Sequence, residues 1–325
     1  TTAGPKTIPK PREITTTPRF SDKVFRAVVT VGGLSSLAIL ALIAFFLVFN
    51  GFETFRSEGI SFLTGFEWAD AIPEEGIAAS YGVGAMLYGT LVIGLLALVF
   101  GVPIAVGTAL FLSYYAPEWL KKPMVVVIDV MAAIPSVVFG LWGYFILMPH
   151  AEYWAKLIHK YLGFIPIFDM PANAYSRSPF IAGLVLAIMI IPIVTSVARE
   201  IFSQTPPDRI QAAYALGATR WSMIKTVAMP FGSSGIVGGA MLGLGRAFGE
   251  TVAVFTVLNI VFKANFHILF GMGGNIASMI VLKWGEASPI ETKALLASGF
   301  VLFVLTLLVN FAADFIVKRT LKSGK

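Results

Sequence analysis

The chain has no cysteine among its 325 residues, which excludes disulfides, thiolate metal sites and a cysteine nucleophile. Charge is scarce as well: Asp, Glu, Lys and Arg make up 13% of residues, where soluble domains carry about 25%. Hydrophobic residues reach 57% and the mean hydropathy is +0.81, the composition of an integral membrane protein. Only three histidines occur, His150, His159 and His267. The first two are nine residues apart and the third is alone, so they read as interfacial residues and not as a metal cluster. No G-x-x-x-x-G-K-[ST] loop exists to cradle ATP phosphates. Gly243-x-Gly245-x-x-x-Gly249 has the wrong spacing for a dinucleotide fingerprint. Ser-His-Asp arrangements are absent too. If the chain moves a solute uphill, the energy comes from an ion gradient or from a separate ATPase.

Six apolar runs are long enough for a hydrocarbon core of about 30 Å, and in lipid they can only be helices. They cover roughly 24–49, 86–112, 124–148, 180–198, 235–260 and 294–315. Residues 1–23, rich in Thr, Pro and base, read as a flexible tail, and 318–325 as a basic one. Residues 50–85 form a loop with Glu53, Glu58, Glu67, Asp70, Glu74 and Glu75 against the single base Arg56, expected to be solvated. Lys and Arg total sixteen in the N-terminal tail, the 116–123 and 199–234 loops and the C-terminal tail, against seven in the other loops. By the positive-inside rule, both termini are expected in the cytoplasm. Pro103, Pro135 and Pro192 are expected to kink or break their helices. Asp129 lies near the cytoplasmic end of the third run, where it can reach the interface or cap a broken helix.

The stretch 235–261 carries only two charges, Arg246 and Glu250. A charge at bilayer depth costs from ~2.5 to 10 kcal/mol or more, so such residues usually face a partner or a water-filled path. Four residues apart on one helix, they are expected to share a face and neutralise each other. They form either a substrate site or a structural ion pair. Gly238, Gly239, Ala240, Gly243, Gly245 and Gly249 in the same run predict close helix packing.

The 199–234 loop contains Gln211-Ala212-Ala213-Tyr214-Ala215-Leu216-Gly217-Ala218 and ends on Val227-Ala228-Met229-Pro230. Pro206-Pro207-Asp208 predict a helix start and Gly217 a stop, with a second short helix from Thr219 into Pro230. Such an element suits insertion into a partner's groove, or else contact with lipid headgroups. Its spacing resembles the E-A-A-x3-G-x9-I-x-L-P signature of the permease subunits of binding-protein-dependent ABC importers. Gln211 stands where that signature has Glu. Further stretches, Ala133-Ile134-Pro135-Ser136 through Gly143, Ala187 to Pro192, and Gly243-Leu244-Gly245-Arg246-Ala247-Phe248-Gly249-Glu250-Thr251, resemble the PstC family of phosphate permease subunits.

That resemblance covers about residues 20–320. It implies an all-α polytopic membrane protein of the type I ABC importer permease fold: an accessory first helix, then a transmembrane domain over 86–317. Gln211, Ala212, Ala213 and Gly217, within a coupling loop over 206–230, are implied to dock on an ATPase. Arg246 and Glu250 are implied to line the phosphate path. The implied partners are a second permease (PstA), two ATPase copies (PstB) and an extracytoplasmic phosphate-binding protein (PstS), with phosphate-sensing signalling proteins as a further candidate. ATP and Mg would be bound by the ATPase, this chain holding no cofactor and no nucleic acid. The competing readings are a permease for phosphonate, sulfate or molybdate and a proton-coupled carrier using Glu250 as relay.

Overall fold

Proline shapes the long helices of this protein by two different routes. The computed structural model describes residues 19–70 and 79–323, with side chains to residue 315. Of the expected flexible tail over 1–23, residues 1–18 lie outside the described residues, as do Glu74 and Glu75, while Phe20 to Lys23 already belong to a helix. The chain divides into two units, residues 1–46 and 47–325. The first holds the N-terminal part of helix α1 (Phe20–Glu58), with no charge between Arg26 and Glu53. α1 is longer than the expected 24–49 span at both ends.

In the second unit the chain continues through α2 (Ser61–Thr64) and a two-stranded antiparallel ribbon, β1 (Trp68–Ala69) with β2 (Ser80–Tyr81). Helix α3 (Gly84–Leu110) follows and widens into a π-turn over Phe111–Tyr115. Then come α4 (Glu118–Ala133), α5 (Ser136–Trp142), a π-turn over Gly143–Leu147, and α6 (Met148–Leu162). Next are α7 (Pro179–Ser203), α8 (Pro207–Ala215), α9 (Arg220–Met223) and a π-turn over Ile224–Ala228 leading into α10 (Met229–Phe248). The unit closes with α11 (Val252–Val257), α12 (Ile276–Trp284) and α13 (Pro289–Ser323).

Each π-turn ends two residues before a proline: Pro117, Pro149 and Pro230. A proline ring clashes with the carbonyl four residues back and offers no N–H to it. Before Pro149 and Pro230 the wider turn relieves that conflict without ending the helix, whereas before Pro117 the helix ends, with Ala116 extended at ψ 129°. This corrects the expectation of a short second helix ending at Pro230, because Arg220–Phe248 is one continuous apolar helix. Pro103 and Pro192 likewise sit inside unbroken helices.

Pro135 behaves differently. It forces Ile134 out of the helical region, to ψ 130°, as the residue before a proline prefers. The pair Glu118–Ala133 and Ser136–Leu162 is bent there by 97°, so the expected third span is a broken one. Five helices among the described residues are long and apolar enough to cross a membrane, or six if the bent pair is one span.

The main core lies where α3 and α10 pack along α7. Lipid supplies no hydrophobic drive between helices, so close van der Waals contact must hold them together. Glycines on α10 provide it. A Cβ on Gly235 would come within 2.3 Å of Ile201, and one on Gly232 within 2.4 Å of Phe202. At Gly243 the gap to Ile190 is 3.2 Å. The expected close packing of this stripe is therefore met on one face only, since Gly238 and Gly245 point into open space.

A second core joins the β-ribbon to α12 and α13 through Phe62, Trp68, Tyr81, Met86, Ile276, Met279 and Leu295. Here the acidic loop is less solvated than its composition suggests. Asp70 pairs with Lys283 at 3.6 Å and accepts from the Tyr81 hydroxyl at 2.9 Å. Lys283 also meets Glu291, which is buried and accepts from the Trp68 indole at 2.8 Å. Glu53 pairs with Lys293.

Candidate functional site

The fifth expected span breaks at its two charges. Helix α10 ends at Phe248, and the Gly249 N–H still bonds Gly245 O at 3.3 Å. After Thr251 the chain restarts as α11. The ring of Phe248 fills the notch at Gly94 of α3, where a Cβ would lie 2.4 Å from the ring. Both severed helix ends leave backbone groups that need partners at membrane depth.

Glu250 meets one of these needs. Its Oε1 accepts the Ala253 N–H at 3.0 Å, capping α11, and the residue is buried. The rest come from the start of α12. Asn275 donates through Nδ2 to Glu250 O at 2.8 Å and accepts the Ser278 N–H at 3.1 Å. The Ser278 hydroxyl donates to Thr251 O at 3.0 Å. Thr90 of α3 accepts the Ile276 N–H at 3.0 Å and donates to Met86 O at 2.7 Å. Thr90, Asn275 and Ser278 are each at most 2% exposed, so the break is a closed polar knot in an apolar core.

Arg246 goes the other way. It lies on the face of α10 where Leu242, 61% exposed, and the open positions Gly238 and Gly245 also lie. Among the described residues it makes no ion pair and no hydrogen bond. The expected i,i+4 pair therefore does not form, because the helix stops two residues before Glu250 and turns that side chain inward. What remains is a buried carboxylate that organises the break and a guanidinium with its donors uncommitted.

The broken third span closes over the same place. Gly140 of α5 sits against α11 so closely that a Cβ there would lie 2.9 Å from Ala253 Cα. Asp129 of α4 is exposed and, among the described residues, is in no ion pair. The three histidines each share a hydrogen bond with a backbone carbonyl, Ile146, Phe168 and Pro166 respectively. No metal-holding group of acidic, His or Cys side chains occurs among the described residues.

At the opposite end of α10, the α8–α9 turn has the geometry its sequence predicts. Gly217 adopts φ +80°. Ala218 N–H bonds Ala213 O at 3.0 Å and Gly217 N–H bonds Tyr214 O at 2.9 Å, the paired bonds of a glycine-terminated helix. Thr219 caps α9 by accepting from Ser222 N–H at 3.2 Å. Gln211, Ala212, Tyr214, Ala215 and Leu216 face outward, Leu216 at 89% exposure. Ala213 instead turns partly inward onto Met223, Ile224 and Ala228. Its role is in seating α8, whereas Gln211 and Ala212 are presented.

Sequence reasoning missed Thr90, Asn275 and Ser278. Asn275 carried a signal, an Asx residue three before Ser278 at the head of an apolar run and just after Gly273-Gly274, which is a helix-start pattern. Thr90 carried none.

The family model described as binding-protein-dependent transport system inner membrane component matches residues 101–322. The chain is 40% identical over 310 residues to a Mycobacterium tuberculosis protein named phosphate transport system permease protein PstC 2, covering 94% of this chain and 93% of that one. It is 37% identical over 302 residues to PstC of Pasteurella multocida, with 91% of each covered. Among solved structures, a bacterial ABC transporter involved in the import of the acidic polysaccharide alginate superposes with a TM-score of 0.50 at 16% identity, covering 91% of this chain and 99% of that one.

Proposed function

This chain belongs to the binding-protein-dependent transport system inner membrane component family, and we propose that it forms half of the translocation path of an ATP-driven inorganic phosphate importer. Its fold is that of type I ABC importer permeases, helical and multi-pass. The observation that carries the phosphate reading is 40% identity over 94% of the chain to a permease of that name. In this reading, residues 86–317 are the transmembrane domain and the first span is accessory. A second permease of the PstA kind covers the open face of α10. Two PstB-type ATPases hold ATP and Mg and receive the 206–230 segment. A PstS-type protein delivers phosphate from outside, and both termini are cytoplasmic.

Phosphate near neutral pH carries one to two negative charges, and an uncompensated crossing of a low-dielectric path would be prohibitive. Arg246 offers a rigid fork of donors matched to phosphate oxygens. Its lack of any partner among the described residues supports that role over a structural ion pair. Glu250 lowers the local positive charge so that phosphate is not trapped, and its second carboxylate oxygen is free to accept from a P–OH group, which sulfate lacks. ATP-driven motion of α8 would reach this place along the single helix Arg220–Phe248, as a rigid-body switch between two states.

The test is uptake of radiolabelled phosphate and of sulfate into vesicles carrying the reconstituted complex, with and without ATP and a proton gradient. Uptake of phosphate with ATP alone is the expected result. Uptake driven by the gradient alone would instead select the proton-coupled carrier. For orientation, a protease site at Gly59 or Asp169 is expected outside and one at Thr219 inside.

A further inference from the structure

We propose that Arg177 heads an outer anion station, a cavity at the far end of α11 through which phosphate passes before it reaches Arg246. The proposal rests on the phosphate reading above and extends it along the same helix. The cavity has a volume of about 500 Å³ and is lined by Tyr144, Phe145, Arg177, Thr256 and Asn259 among others. At about 30 Å³ for each water, it has room for a small anion with part of its hydration shell. Arg177 is the one charged residue in its lining.

Three features of Arg177 point the same way. Its backbone is left-handed, φ 54°, and it is the one non-glycine residue among those described with a positive φ. That conformation is strained for a residue with a β-carbon, and such strain collects where function requires the side chain. The strained backbone is pinned, since Asn259 N–H bonds Arg177 O at 3.2 Å. The guanidinium lies over the Tyr144 ring, 5.3 Å from its centroid. Stacking fixes the plane of the fork but leaves its five N–H donors free. Lys283 in the outer core is the contrast, because Asp70 and Glu291 occupy its charge.

The cavity also connects to the break. Thr256 in its wall donates to Ala253 O at 2.8 Å, and Ala253 N–H is the donor that Glu250 accepts. From Val252, the first residue of α11, to Thr256 the helical rise is only about 6 Å. Asn259 spends one Nδ2 hydrogen on Gly271 O at 3.3 Å and keeps its carbonyl oxygen as an acceptor suited to a P–OH group. Tetrahedral phosphate thus meets a cation, then a short apolar helix, then a second cation.

The absence of cysteine from this chain makes the test direct. The full complex is reconstituted with Arg177→Cys, and inorganic phosphate uptake is measured before and after external treatment with a cationic or an anionic methanethiosulfonate. The unsubstituted complex serves as the reagent control. Loss of one charge-assisted contact is expected to lower uptake at least about tenfold. The cationic reagent is expected to restore several-fold and the anionic one to lower uptake further, with phosphate slowing the modification more than chloride does. Arg177→Gly removes the charge while relieving the backbone. It is expected to assemble at least as well as the parent and still to transport poorly, which separates charge from folding. Full uptake by Arg177→Gly, or equal rescue by both reagents, overturns the proposal. An unsubstituted complex that imports no phosphate overturns the phosphate reading itself, whereas normal import by it alongside unaffected Arg177 variants removes only the outer station.

Discussion

The two interruptions at either end of the Arg220–Phe248 helix are built in opposite ways. At the α8–α9 turn, a glycine in the left-handed region stops the helix and the neighbouring side chains face outward. At the α10–α11 break, no residue takes a left-handed conformation, and buried Thr90, Glu250, Asn275 and Ser278 satisfy the exposed backbone. The first shape is specified by local backbone chemistry and leaves its side chains exposed. The second is specified by side chains from three distant parts of the chain and is largely buried, Glu250 keeping 7% exposure. On the proposed reading the turn receives a push, which needs only shape and seating, and the break handles an ion at membrane depth, which needs fixed dipoles because each loose polar group there is costly.

The largest effect that would break this contrast is expected at Arg246. Arg246→Gln should reduce phosphate uptake by at least about 100-fold, the worth of a bidentate charge-assisted contact made in a low-dielectric path. Purified complex should keep its ATPase subunits in normal ratio. Arg246→Lys should fall between the two, since a point charge lacks the planar fork. If Arg246→Gln prevents assembly instead, the residue is a structural anchor and the break is not the site.

Next comes the knot itself. Asn275→Ala strands Glu250 O and Ser278 N–H together, and each orphaned buried group costs about 1–3 kcal/mol. A lower melting temperature is expected, with Glu250 released from its position and discrimination against sulfate relaxed. An unchanged melting temperature would mean that water replaces Asn275, and the closed description would fail.

Much of this was legible beforehand, and the division follows from how far each feature reaches along the chain. Gly217, Pro206 and Thr219 act within a few residues, so the α8–α9 turn could be read from spacing alone. The charges of the fifth span marked where the apolar run is interrupted. Their geometry was not legible, because the i,i+4 rule assumes a continuous helix and Gly249 ends it. Asn275 and Thr90, which hold that ending, lie 25 and 160 positions from Glu250. Pro103, Pro135 and Pro192 looked alike in sequence, yet only Pro135 sits at a break. Burial does not separate them, since Pro192 is buried but Pro103, inside an unbroken helix, is as exposed as Pro135.

A mid-sized effect should separate shape from contact at the turn. Nothing lies within 4 Å of a Cβ placed on Gly217, so a larger side chain meets no clash and only the backbone objects. Gly217→Asn should therefore be tolerated, because Asn adopts left-handed φ more readily than other residues. Gly217→Leu should cost roughly 1–2 kcal/mol of turn stability and weaken ATPase recovery on co-purification while the chain still inserts. Equal behaviour of the two variants would show that the turn's backbone does not matter to docking.

The outer core offers a smaller and pH-dependent check. Burial pushes the Tyr81 hydroxyl up to about 12, and its hydrogen bond to Asp70 adds to this. A raised value means that the folded state holds the proton more tightly. The stabilisation is fully present below pH 10 and is lost as pH rises toward 12. Thermal melts should thus decline over that window, and Tyr81→Phe should flatten the decline. A slope that Tyr81→Phe leaves unchanged would assign it to other groups.

The smallest effect is expected at Gln211, and it tests whether the exposed turn is read by a partner at all. Gln211 lies in the middle of α8, faces outward and, among the described residues, makes no hydrogen bond. Substitutions at such positions change stability by about 0.5 kcal/mol or less. Glu at this position is beyond the first turn, so the helix dipole gives it little. Gln211→Glu should therefore leave the permease itself unaltered, and any change in transport must arise in the ATPase groove. With a base in that groove, uptake should equal or exceed the parent's by up to about twofold, the scale of one exposed ion pair. A tenfold loss would mean that the groove presents an acid or an apolar wall to this position, adapted to Gln211. Transport insensitive to both Gln211→Glu and Gln211→Lys would show that this position does not meet the ATPase, and the docking surface would shrink to Ala212, Tyr214, Ala215 and Leu216.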